Sequence, residues 1–342
     1  MRKDLIIINN EKCLEKSETY YCENIEISSI NDLLSKKFNV KLILRKSNIN
    51  PIHRIKNNNV FACSNIFSFI KNIINIASKK NSICLIIAVT PYTFASFLFL
   101  ILFKREIFLY LRSDGKKEIS AIFGKKISII YKIIENIMVK FCNLIVVNNI
   151  IVKKKKFQIV NPSQIDEDWT KNIKKSNRNQ IKLLYVGRLK IEKGIYSLID
   201  IFNKIKFQDK KILLTLIGQG KKPTEINERI KFINPISKKE DLIKQYDAHD
   251  IFILPSFTEG QPQVLIESLI RQRPVIVFKE IQHVRQNYKG VFVVDRNAKD
   301  LFNKIKFIDK NYEQILSEMK TNKYPTKENF LNQLDAIFKM GV

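Results

Sequence analysis

Short apolar runs recur along the chain, each separated from the next by a longer stretch of mixed polarity. In the first half they are Leu5–Ile8, Val40–Leu44, Cys84–Val89, Ile107–Leu111 and Leu144–Val147. In the second half they are Ile181–Leu189, Lys211–Gly218, Ile230–Ile233, Ile251–Ser256, Pro274–Phe278 and Val291–Val294. The intervening segments, such as ISIIYKIIENIMVKFC, repeat apolar residues at three- and four-residue intervals, the period of an amphipathic helix. Strands that are apolar throughout and alternate with helices predict parallel sheets covered on both faces. A polar break at Lys153–Gln180 divides the series in two. The pattern predicts an α/β protein of two doubly wound domains, 1–160 and 161–320, facing a central cleft where open α/β sheets bind ligands. The last segment, 321–342, has a helical period and is expected to pack back across the domain junction.

The length of 342 residues suits two cores, since single cores rarely grow past about 250–300 residues. The net charge of +27 is unevenly spread, with twelve Lys or Arg and no Asp or Glu between Leu33 and Arg105. Such a segment suits an anionic membrane surface, a nucleic acid or an acidic substrate. A lysine-biased, solvated face is the alternative. Five scattered cysteines without a CxxC or Cys/His cluster argue against structural zinc and for a reducing compartment. The four-residue apolar core of MRKDLIIINN is too short for a signal peptide and reads as a first strand. The uncharged run Asn81–Phe103 is long enough to span a bilayer, but Pro91 and the TPYT turn split it. Strand, turn and helix are expected there.

Two carboxylates in FTEGQPQVLIESLIRQRPVIV ask for an explanation, because both interrupt an apolar segment. IFILPS before them is a buried strand, TEG its C-terminal turn, and Pro262 falls near the first turn of a helix, where proline is favoured. Glu259 is then a loop residue and Glu267 lies about one and a half turns into the helix. Free N–H groups around Gln263 to Leu265 at the helix start offer a seat for phosphate. VGRLKIEKG likewise follows a strand and precedes a helix, which places Arg188 and Lys193 beside the same edge. Two cations near a helix N-terminus can neutralise a diphosphate, and carboxylates accept hydroxyl donors from a ribose diol or a sugar ring. An Asp-x-Asp pair, Asp166 and Asp168, lies in the polar break without a preceding strand and is read as solvated charge.

These residues carry a resemblance. VGRL..EKG, LIGQG, IKFINPI, ILPSFTEGQPQVLIES and PVIVF occur in the order and spacing of the nucleotide-binding domain of family 4 glycosyltransferases, which have the GT-B fold of two Rossmann-like domains. Glu259 and Glu267 match that family's Glu-x7-Glu signature. The resemblance implies a retaining, metal-independent transferase with no cofactor. By it, Arg188 and Lys193 would hold the donor diphosphate and Glu267 the ribose. Glu259 would contact the transferred sugar, with Gly260 and the amides of Val264 and Leu265 completing the donor site; the base would lie against the loop around Asn234 to Ile236. Glu259, Arg188 and Lys193 are the catalytic candidates. The first domain departs from the family: NNEKCLEKSETYY has no glycine-rich loop, and YLRSDG has no histidine. Arg112 and Asp114 stand at that strand's end as acceptor-side candidates. His53, His249 and His283 are expected to be structural or exposed.

The expected protein is therefore a hexosyltransferase, cytoplasmic and peripheral on the inner face of the plasma membrane. Its partners are a nucleotide-sugar donor, a glycan or lipid-linked acceptor and an anionic membrane surface, with a place in lipopolysaccharide, capsule or other envelope glycan synthesis. An epimerase of nucleotide sugars on the same fold is the rival enzyme. A basic nucleic-acid-binding protein is the non-enzyme rival; it leaves Glu259 and Glu267 unexplained, and no nucleic-acid partner is expected.

Overall fold

The computed structural model describes residues 2–48, 53–57, 59–77, 82–149, 151–152, 156–175, 179–205, 210–221 and 227–340. It divides into two compact units, one of residues 1–164 with 327–342 and one of 165–326.

The first unit carries a nine-stranded sheet with the path β4-β2-β1-β6-β7-β8-β9, and β3 between β1 and β5. Its strands are β1 (Asp4–Lys16), β2 (Thr19–Cys22), β3 (Asn39–Lys46), β4 (His53–Ile55), β5 (Val60–Cys63), β6 (Ile83–Ile87), β7 (Glu106–Leu111), β8 (Asn143–Val146) and β9 (Gln158–Ile159). Its helices are α1 (Ile25–Leu34), α2 (Ile66–Ala77), α3 (Pro91–Leu102), α4 (Gly115–Phe123) and α5 (Lys125–Phe141). The first half of β1 runs parallel between β3 and β6, with Leu5 opposite Val40 and Ile83. These strands are buried on both faces, hence their unbroken apolar runs.

The stretch without a glycine-rich loop is a hairpin. β1 continues to Lys16, turns at Ser17 and Glu18, both with positive φ, and returns as β2 with Cys13 opposite Cys22. The uncharged run Asn81–Phe103 resolves into β6 and α3, whose start is fixed by a capping box between Thr90 and Thr93. No helix among the described residues is long and apolar enough to cross a membrane. All five cysteines are buried and free.

The second unit is a six-stranded parallel sheet in the order β12-β11-β10-β13-β14-β15. Its strands are β10 (Ile181–Val186), β11 (Ile212–Ile217), β12 (Ile230–Ile233), β13 (Ile251–Leu254), β14 (Val275–Phe278) and β15 (Val291–Val294). The helices are α6 (Ile195–Asn203), α7 (Lys239–Asp247), α8 (Gln263–Ile270), α9 (Ala298–Lys310) and α10 (Tyr312–Met319). This strand order is that of a doubly wound dinucleotide-type sheet. The last helix, α11 (Lys327–Met340), belongs to the first unit, where Phe338 packs edge-on against Phe38 and Phe108.

The described part of the polar break, residues 156–175, is more ordered than its composition suggests. Trp169 is buried, and the main chain of 169–174 is stitched to the second unit by Arg271 and Arg273. Arg271 is wholly buried and forks onto Asp247 at 2.9 and 2.6 Å. It spends its remaining donors on the carbonyls of Trp169, Lys171 and Asn172, so that all five of its N–H groups are satisfied. Removing one member of such a buried set typically costs about 3–5 kcal/mol.

Candidate functional site

In the second unit, β10 lies beside β13, and the chain winds away from them in opposite directions. At such a switch point the loops leaving the two strands diverge and leave a crevice at the strand C-terminal ends. The first loop runs from Gly187 to Gly194 and the second from Pro255 to Pro262, and the two loops are in contact. Gly194 has φ +68°, and a Cβ there would fall 1.9 Å from the Pro255 carbonyl oxygen. Gly218, after β11, approaches equally closely: a Cβ would meet the Gly187 oxygen at 1.8 Å. Only glycine allows these backbones to touch.

Lys193 and Glu259 meet at this crevice. The lysine Nζ donates to Glu259 Oε1 at 2.8 Å, and the Ser256 hydroxyl donates to the same oxygen at 2.6 Å. Both charged side chains are mostly buried, at 20% and 12% exposure. The Glu259 backbone is pinned as well, since its carbonyl accepts from His283 Nε2 at 2.8 Å. Arg296 braces the loop from the far side. Its guanidinium lies over the rings of Phe257 and Phe278 at 4.2 and 4.4 Å, donates to the Pro255 carbonyl and forks onto Glu280. Ser256, His283 and Arg296 carry no local signal of this role. Ser256 alone lies within a recognisable motif; the other two come from elsewhere in the chain.

Helix α8 follows, with Pro262 as its N-cap and no side chain capping its amides. The expected seat of free N–H groups is one residue shorter than its sequence suggests, because the Leu265 N–H donates back to the Pro262 carbonyl at 3.2 Å. The amide of Val264 and the loop at Gly260 remain at the helix start. Gln261, between them, holds a side-chain amide whose nitrogen and oxygen are both buried and unpartnered among the described residues. An unmet buried polar group costs about 1–3 kcal/mol, which a hydroxyl-bearing ligand would relieve.

Glu267 faces inward from α8. It is 9% exposed, and its Oε2 accepts from the buried Tyr246 hydroxyl at 2.8 Å. Burial raises its carboxyl to about 7, against a smaller opposing effect of the Tyr246 hydrogen bond. Its bonding lies with Tyr246 and does not include the Lys193–Glu259 pair. Arg188 is exposed; its carbonyl is fixed by the Tyr185 hydroxyl at 2.9 Å, and the side chain is free to reach toward a ligand. Asn234 and Pro235 are exposed at the end of β12. His249 is structural: its Nδ1–H donates to the Gln245 carbonyl, Nε2 accepts from Thr215, and burial holds it down at about 4.

Asp166 and Asp168 keep the solvated setting expected of them, at 40 and 56% exposure, and share Lys239 as a counter-ion. The two acceptor-side candidates are already engaged. Asp114 is the N-cap of α4, accepting from the Lys117 N–H, so its carboxylate is already engaged. Arg112 is held at 2.8 Å by Glu26, which also accepts from the Tyr110 hydroxyl at 2.9 Å. The first unit therefore offers an Arg112–Glu26–Tyr110 cluster in place of an Arg112/Asp114 pair.

The chain resembles known proteins in sequence and in fold. Residues 166–325 match the family of glycosyl transferases group 1. The amylovoran biosynthesis glycosyltransferase AmsD of Erwinia amylovora is 30% identical over 132 residues, 36% of this chain and 37% of that protein. An N,N'-diacetylbacillosaminyl-diphospho-undecaprenol alpha-1,3-N-acetylgalactosaminyltransferase of Campylobacter jejuni is 24% identical over 163 residues, 45% of this chain and 42% of that one. The chain thus matches about two fifths of the length of these curated relatives. Anabaena HepE, solved in complex with UDP-glucose, shares the fold with a TM-score of 0.71 over 99% of this chain and 100% of that one, at 13% identity.

Proposed function

We propose that this chain, whose residues 166–325 match the glycosyl transferases group 1, is a retaining transferase moving a hexose-type sugar from a nucleoside diphosphate to a glycan or lipid-linked acceptor. The observation that carries this reading is the Lys193–Glu259–Ser256 cluster at the switch point, built on two loops locked together by Gly194. Lys193 and the exposed Arg188 supply positive charge beside the start of α8, where an incoming diphosphate would meet backbone N–H groups as well. Charge held in place before the reaction stabilises the charge that develops on the leaving diphosphate, often the largest catalytic contribution. Glu259 and the unpaired Gln261 amide offer acceptors and a donor to sugar hydroxyls, and Glu267 offers a carboxylate to the ribose.

Relatives named for amylovoran biosynthesis and for action on an undecaprenol-linked sugar support an envelope glycan as the acceptor class. Thermal shift against a panel of nucleoside diphosphates and their sugars tests the donor. A ligand at 100 times its Kd adds about 2.7 kcal/mol to stability. Incubation of the best donor with and without an acceptor extract then separates transfer from internal epimerisation. Stabilisation by no nucleotide sugar, or conversion of the donor without any acceptor, would overturn the proposal.

A further inference from the structure

Helix α5 is apolar on two sides. The buried side carries Ser128, Glu135, Met138 and Val139, with Tyr131 and Ile134 packed against the core and Glu135 paired to Lys132. The opposite side carries Ile130, Ile133, Ile137 and Phe141, which are between 39 and 59% exposed. Ile122 and Phe123, at the end of α4, extend this face at 52 and 59%. The rings of Phe97 and Phe141 lie 6.5 Å apart, which brings the C-terminal end of α3 alongside, and there Leu102 is 75% exposed. Single exposed aliphatic residues are ordinary, but a contiguous face of them marks an interaction surface.

The charges around this face identify the occupant. Lys125, Lys126 and Lys140 are exposed and make no ion pair among the described residues. Of the nearby acids, Asp114 caps α4 and sits 3.7 Å from Lys117, Glu135 is buried against Lys132, and Glu118 on α4 is outnumbered by the lysines around it. A second copy seated on this face would set these lysines against their own equivalents in a chain of net charge +27. An anionic headgroup layer presents the opposite charge above an apolar interior. The 17 residues of α5 extend about 25 Å, and with lysines at both ends the helix is built to lie in the plane of an interface and not to cross it.

We propose that the α4–α5 face of the first unit docks in the headgroup plane of an anionic bilayer, its isoleucines and phenylalanines entering the acyl boundary and Lys125, Lys126 and Lys140 meeting the headgroups. This moves most of the membrane contact out of the expected segment Leu33–Arg105, of which Leu102 alone joins the proposed face. In that segment Phe94, Phe99 and Phe103 pack against the core, Lys71 is exposed, and Lys79 and Lys80 lie outside the described residues. The inference rests on the first unit alone and stands whatever the donor proves to be.

Flotation of the full chain with phosphatidylcholine vesicles, with and without phosphatidylglycerol, tests it. Wild type is expected to float only with the anionic vesicles and to be released by salt. Ile130→Ser/Ile133→Ser/Ile137→Ser replaces exposed residues and is expected to abolish flotation while leaving the far- and near-ultraviolet circular dichroism of the chain unchanged. Lys125→Gln/Lys126→Gln/Lys140→Gln is expected to weaken partition about a hundredfold and flatten its salt dependence. Lys71→Gln is expected to bind as wild type. The proposal is overturned if wild type ignores anionic vesicles, if the isoleucine variant still floats, or if lipid-free wild type is a dimer that this variant makes monomeric.

Discussion

Glu267→Gln removes a carboxylate that the fold of the second unit buries against a tyrosine hydroxyl. Burial raises its carboxyl from the ordinary 4.5 to about 7, so between those values the unfolded chain loses the proton while the folded chain keeps it. The folded state then binds more protons, and its stability falls as pH rises, by up to about 1.4 kcal/mol per pH unit. Below pH 4.5 the group contributes no slope; above about pH 7.5 the loss levels off near 3 kcal/mol. Glutamine keeps an oxygen for the Tyr246 hydroxyl and has no proton to lose. Trp169, the single tryptophan, is buried edge-on to Tyr246 at 5.7 Å, so its fluorescence reports the unfolding of this unit. Urea unfolding from pH 4.5 to 8 should show the variant gaining on wild type by up to about 3 kcal/mol over that interval. The same ionisation governs ligand binding if Glu267 accepts from a ribose. At pH 6 roughly one wild-type molecule in ten carries the carboxylate, so nucleoside diphosphate should bind about tenfold more weakly than at pH 8. The ligand's own phosphate titrates near pH 6 in both proteins. Only the difference between their calorimetric profiles is therefore assigned to Glu267. Parallel curves for the two proteins in both assays would refute the reasoning.

Gly194→Ala should destabilise the second unit by roughly 2–4 kcal/mol, combining a left-handed backbone with overlap against the Pro255 carbonyl; a urea midpoint equal to wild type would count against the locked-loop geometry. Gln261→Met removes two unmet polar atoms, so the empty protein should be as stable as wild type or more so, while a nucleotide sugar loses its advantage over the bare nucleoside diphosphate in calorimetry. Lys193→Ala should weaken nucleoside diphosphate binding by about 1.5–3 kcal/mol and also free Glu259, so Lys193→Ala/Glu259→Gln should bind no more weakly than the single variant. Transfer is expected to survive EDTA, the diphosphate being met by Lys193, Arg188 and helix amides; activity lost to chelation and restored by magnesium or manganese would place a metal in the reaction.

The parallel strands were legible because burial on both faces writes an apolar run into the sequence, and no other element of a globular chain combines that shortness with that purity. The β1–β2 hairpin was not. Its strands alternate charged and apolar residues over few positions, and its turn uses Ser17 and Glu18 at positive φ, where glycine or asparagine would have announced it. Lys193 and Glu259 were legible because strand-end motifs place them at the switch point. Arg296 and His283 were not, since each reaches the Glu259 loop from a separate segment and neither belongs to a motif.

Helix α5 shows where periodicity stops being informative. A three- and four-residue repeat establishes that a helix has an apolar stripe, and the usual inference turns that stripe toward the core. Here two sides are apolar: Met138 and Val139 enter the core beside Glu135, whose charge Lys132 meets, while Ile130, Ile133 and Ile137 face outward. Asp166 and Asp168 likewise share a counter-ion, Lys239, that stands 73 and 71 residues away in the chain. A charged residue's role is set by whether a counter-charge waits within a few ångströms, and the chain path alone decides that. Sequence therefore predicts which residues are able to carry chemistry, whereas pairing in three dimensions decides which are left free for it: Arg188 exposed and uncommitted, Arg112 already held by Glu26. If that reasoning holds, Glu26→Gln should alter acceptor use through a released Arg112 and leave donor affinity at its wild-type value, because its partners all lie in the first unit. A change in donor Kd in calorimetry would break the division of labour between the two domains on which the site assignment rests.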